Sequence, residues 1–184
     1  ARAHDAVTRS SRPDDAVGVT LSPLHREVDA DSIRYRHVAA TLHRGERRVE
    51  IVVSGPAGEP PADTDGLLAQ GADYWPLAMA RELDDLILRL RTNENELGTW
   101  VLRTVGDADL VRAYDRQLQD NADNWFVNEV RHFYKRTLKR LDMTARSLFA
   151  LIEPGSCFAG TLFELALACD RSYMLDDPER PCAI

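Results

Sequence analysis

One segment of the 184-residue chain, Ala150 to Asp170, concentrates the residue types that can do chemistry. An apolar strand runs into a turn rich in small residues, from Pro154 to Gly160. The turn opens a short apolar helix, Thr161 to Cys169, whose single charge is Glu164. Backbone amides at a helix start have no intrahelical partners and attract negative charge. Gly160 and Thr161 could therefore stabilise a developing oxyanion. Glu164, expected in the first turn of that helix, could move a proton. The same residues also have structural readings. A carboxylate near a helix start interacts well with the helix dipole, and a threonine there can act as a cap. Glu153 is a further, weaker candidate, because it is polar where an apolar strand ends beside the expected pocket.

Other residues with reactive side chains carry less information. Cys157, Cys169 and Cys182 are odd in number and lack CxxC spacing or a His-rich cluster. A disulfide framework or zinc site is not expected, and reduced thiols in the cytoplasm fit better. Arg131, Lys135, Arg136, Lys139 and Arg140 form a basic strip on a predicted helix. A solvated face explains that strip most simply; contact with coenzyme A phosphates is the alternative.

The elements that must position this segment follow from patterning. Residues 1–30 are polar and irregular, broken by Pro13, Gly18 and Pro23, and read as a linker or the tail of a preceding unit. Val38, Ala40 and Leu42, then Val49, Ile51 and Val53, alternate as a β-hairpin turning at Arg44-Gly45-Glu46. Ser54 to Gly66 reads as a loop. Met79, Leu83, Leu86, Ile87 and Leu90 make an apolar stripe on a helix from about Asp73 to Leu90, with Pro76 tolerated in its first turn and Arg81, Asp84, Asp85 and Arg89 opposite. Thr99 to Thr104 suits a strand. Two helices follow, separated at Asp120 to Asp123. Ser147 to Ile152 is apolar enough to predict a strand buried on both faces, and Arg171 to Leu175 resembles one more. Strands alternating with helices favour an α/β layered fold.

Composition excludes several function classes. Hydrophobic residues are 44% and charged residues 29%, as in a globular protein. No apolar run approaches the roughly 20 residues of a membrane span. A net charge of −7 argues against nucleic-acid binding, which needs a basic surface. The start at Ala1 and the loop-like stretch from Asp176 to Pro181 suggest a fragment of a longer chain.

The Ala150–Asp170 segment resembles the signature of the crotonase (enoyl-CoA hydratase/isomerase) family. Pro154-Gly155 stands for its Asn-Gly, Gly160-Thr161-Leu162 for its glycine run, and Glu164-Leu165-Ala166 with Cys169-Asp170 for the rest. Ala80-Arg81-Glu82-Leu83 and Trp100 to Thr104 match its first helix and next strand in order. Within the family, Trp75 to Asp85, Gly98-Thr99-Trp100 and Ser147 to Gly160 look like the second half of a two-halved lyase. That lyase opens the ring of a dihydrodiol (or epoxide-derived) benzoyl-CoA and releases formate in aerobic benzoate breakdown.

The resemblance implies an α/β, crotonase-like ββα superhelix over 31–184, truncated before its C-terminal helices, with 1–30 as linker or tail of a preceding half. It implies an acyl-CoA thioester substrate with no separate cofactor or metal, a first crotonase-like half as partner, and a homo-oligomer. It also implies an oxyanion hole built from the amides at Thr161, beside Gly160, and Ala113. Two departures stand out: Thr161 and Tyr114 occupy positions where the family has glycine. The family's second carboxylate is expected at or past Ile184. A degenerate repeat without its own turnover, or another hydratase or isomerase of the family, are the competing functions.

Overall fold

A computed structural model describes residues 2–10, 17–180, 182 and 184. The expected alternation of strands and helices is present, organised around one seven-stranded sheet in the order β1 to β7. Strands β1 (Glu27–Val28), β2 (Ser32–Arg34), β3 (Val38–His43) and β4 (Arg48–Ser54) pair antiparallel. Strands β5 (Thr99–Val105), β6 (Ser147–Ile152) and β7 (Arg171–Met174) continue from β4 in parallel. The β3–β4 hairpin turns through Arg44–Glu46, as expected, and closes on Arg47 in a left-handed conformation with φ 53°. Parallel pairing needs a crossover, and each is helical: α2 (Thr64–Gln70) and α3 (Trp75–Asn93), then α4 (Ala108–Asp120) and α5 (Trp125–Asp142), then α6 (Gly160–Leu167).

Register shows why one face of this sheet is the core. Ile33, Ala40, Ile51, Leu102 and Ala150 form a row across β2 to β6. All five are buried. The facing side of α3 contributes Met79, Leu83, Leu86, Ile87 and Leu90, the stripe legible in the sequence, and all are buried. Side-chain caps fix the helix starts. The Asp63 carboxylate accepts from the Gly66 amide, Asp107 from Asp109, and Asn124 from Phe126 and Val127. The Asn124 cap explains the break between α4 and α5.

Several expectations need correction. Residues 1–30 hold a six-residue exposed helix, α1 (Arg2–Val7), and strand β1; Pro13 lies outside the described residues. The stretch read as a loop to Gly66 gives way to α2 at Thr64. Strand β6 is not fully buried on both faces: Leu148, Ala150 and Ile152 are buried, while Phe149 and Leu151 are only partly buried on the side the helices leave open. Asp84, assigned to a polar outer face, is buried and pairs with Arg140 of α5 at 2.6 Å. Glu82 is buried too, and accepts from the His37 amide at 2.7 Å.

Candidate functional site

The carboxyl ends of β4, β5 and β6 converge tightly. The Gly55 amide donates to Val105, and the Gly106 amide to Gly155. The Cys157 amide donates to the Thr104 hydroxyl at 2.9 Å. Gly106 has φ +144°, and a Cβ there would lie 3.2 Å from the Gly55 backbone. Glycine is required where backbones approach this closely. Cys157 is buried in this junction with its thiol pKa raised by burial, so it is a packing residue rather than an accessible nucleophile.

From this junction the chain turns through Gly155, φ +86°, and enters α6 at Gly160, φ +48°. Ala159 takes the N-cap position with an extended backbone and no side chain able to cap. The missing acceptor comes from α4. Asp115 Oδ2 accepts the Thr161 amide at 2.5 Å, and Asp115 Oδ1 accepts the Thr161 hydroxyl. A cleft of about 370 Å³ lies over this contact, lined by Asp115, Leu118, Gln119, Arg131, Gly160, Thr161 and Glu164. A second cleft along α5 and α6 shares Glu164 and brings Lys135, Lys139 and Asp142 to it. Part of the basic strip on α5 thus faces Glu164 rather than open solvent alone.

The candidate residues are therefore distributed as follows. Gly160, Thr161 and Glu164 share one cleft. Glu164 is exposed and falls beyond the first turn of α6, which holds no acidic residue. The dipole argument is weaker there, because that effect fades within one turn. Ala113 does not join them. It lies inside α4, where an interior amide is committed to the helix, and it lines a different cleft with Pro60, Asp63 and Gln117. The expected oxyanion role for its amide is incompatible with that position. Glu153 is also elsewhere. Strand alternation puts its side chain on the open face of the sheet, where it pairs with Arg103, which in turn contacts Glu50 at 3.1 Å.

Sequence reasoning missed Asp115. Burial raises its pKa, outweighing the two hydrogen bonds from Thr161 that lower it. Beneath it lies a polar aromatic cluster. The Tyr74 hydroxyl donates to Gln117 at 2.8 Å, and Tyr74 packs on Tyr114, with ring centroids 5.7 Å apart. The buried Tyr134 hydroxyl has no hydrogen-bond partner among the described residues. Burial first, then the charge of Asp115, raises its pKa. An acidic residue one position past Tyr114 was visible in the sequence, but nothing in its spacing tied it to Thr161. No cluster of metal-ligating side chains occurs among the described residues, and none of their helices is long and apolar enough to cross a membrane.

No family model matches the chain. A curated relative, benzoyl-CoA-dihydrodiol lyase of Aromatoleum evansii, is 51% identical over 179 residues. The match covers 97% of this chain and 32% of the relative, so the chain spans about a third of that protein's length. Solved structures of enoyl-CoA hydratases resemble it loosely at 16% identity. The one from Geobacillus kaustophilus HTA426 has a TM-score of 0.47 over 78% of this chain and 47% of its own. The one from Bacillus halodurans has a TM-score of 0.42 over 83% of this chain and 50% of its own.

Proposed function

We propose that this chain is a segment of a carbon–carbon lyase acting on a benzoyl-CoA derivative. In that reading the longer protein opens the ring of a dihydrodiol (or epoxide-derived) benzoyl-CoA to a semialdehyde thioester and formate, in aerobic benzoate degradation. The observation that carries it is the 51% identity to benzoyl-CoA-dihydrodiol lyase, sustained over 97% of the chain. The substrate is a coenzyme A thioester, and no further cofactor is needed. The protein works in the cytoplasm, where its three cysteines remain thiols, and as a homo-oligomer that includes another crotonase-like half.

Within that enzyme, the segment's own contribution is support rather than turnover. A specific contact favours this: the Thr161 amide, the best-placed donor for a thioester oxygen, is already taken by Asp115. The competing role is proton transfer by Glu164, which lines the same cleft. The full-length protein separates these. It should release formate from the dihydrodiol thioester, and absence of that activity refutes the lyase reading. Glu164→Gln should leave the rate nearly unchanged if this unit is a buttress. A fall of about 10²-fold or more would instead assign Glu164 a proton-transfer role.

A further inference from the structure

A helix start draws an anion because its first amides point outward without partners. At α6 the anion is already in the chain. Asp115, 46 residues before Thr161, places one carboxylate oxygen on the Thr161 amide and the other on the Thr161 hydroxyl. The fit depends on glycine: a Cβ on Gly160 would lie 1.5 Å from Asp115 Oδ2. Ala159, at the N-cap, supplies no competing acceptor.

The geometry points to an autoinhibitory contact: the Asp115 carboxylate fills the anion position at the start of α6 and closes it to external carboxylate or thioester oxygens. An incoming oxygen would need to sit about 2.7–3.1 Å from the Thr161 amide. Asp115 Oδ2 stands there at 2.5 Å, so both cannot be accommodated. The cleft above is otherwise suited to an anion, since Arg131 of α5 lines it, with Glu164 of α6 as the opposing charge. Burial opposes the charge on Asp115, so the carboxylate has exchanged water for the helix start. From below, Tyr134 of α5 and Tyr74 at the N-cap of α3 are titratable groups close enough to feel it. The contact is a property of this chain and stands whether or not the longer protein is a lyase.

The test uses the isotope-labelled chain with sodium acetate as the probe. In the wild type, the Thr161 amide resonance should not respond to acetate, and should titrate with pH at the same midpoint as the Asp115 carboxyl carbon. In Asp115→Ala, acetate should bind at least about tenfold tighter than to the wild type, shift the Thr161 resonance saturably and raise the melting temperature. Acetate moving the wild-type Thr161 resonance would overturn the proposal, as would a Thr161 amide that ignores Asp115 titration. A folded Asp115→Ala variant that binds no acetate would do the same. Should that variant not fold, the two wild-type measurements decide.

Discussion

Gly160 carries two constraints at once, and each has a cost if a methyl group is added. Its φ of +48° is left-handed, which disfavours an L side chain by about 1–2 kcal/mol. The added Cβ also collides with Asp115 and pushes its carboxylate off Thr161. A hydrogen bond to a charged group contributes about 1.5–3 kcal/mol. Gly160→Ala should therefore destabilise the chain by about 2.5–5 kcal/mol, read as a lower urea midpoint. An unchanged midpoint would show that Asp115 and Gly160 are not in contact in solution. This is also the scale at which the sequence was least informative. Thr161 could be placed at a helix start, and Glu164 on the same helix though a turn too early, because a strand, a small-residue turn and an apolar helix are local signals. Asp115 could not, because its meeting with Thr161 is made by the packing of α4 on α6, and no periodicity encodes it. Ala113 is kept from Thr161 for a related reason: it lies in the interior of α4, whose packing and not whose sequence sets what its residues meet.

At the scale of elements, alternation within strands proved reliable and overall apolarity did not. Leu102 and Leu151 both lie in apolar runs, yet their surroundings differ. Leu102 is buried between β4 and β6 on the covered face. Leu151 pairs with Tyr173 of the exposed strand β7 on the open face. Leu102→Ala should cost about 2–5 kcal/mol, the transfer loss plus a cavity. Leu151→Ala should cost about 1 kcal/mol, near the centre of the range for ordinary substitutions. Denaturant unfolding of the two variants compares them directly, and equal losses would mean the open face is covered in solution. The α3 stripe was legible because its period matches its burial. Asp84 and Glu82 were not, because each is a charged residue whose partner comes from a distant element, Arg140 on α5 and the backbone of His37.

At the scale of the whole molecule, the open end of the β3–β4 hairpin is tied to α3, and His37 sits at that tie. Its amide donates to Glu82 of α3, and its carbonyl accepts from Ser54 at the end of β4. Alternating strands and helices made the layered architecture legible. The tie to α3 was not, since on the His37 side it is made by backbone groups that any sequence carries. The imidazole pays for this position in its titration: burial, reinforced by Arg36 and partly offset by Asp73, lowers its pKa from 6.5 to about 4. The sign follows from proton counting. Between those two values the unfolded chain binds a proton at His37 that the folded chain does not, so stability rises with pH across the window and is lost as pH falls through it. Glu82 opposes this, because burial raises its pKa and the folded state takes up its proton earlier on acidification. Comparing the wild type with His37→Gln isolates the imidazole, because Glu82 is held by backbone groups that the substitution leaves in place. Urea unfolding at a series of pH values from 7 down to the window's lower end should show the wild type losing stability more steeply than the variant from about pH 6.5 to about pH 4. Parallel curves through that window would mean His37 titrates alike in the folded and unfolded chain, and the end of the β3–β4 hairpin would then be open to water.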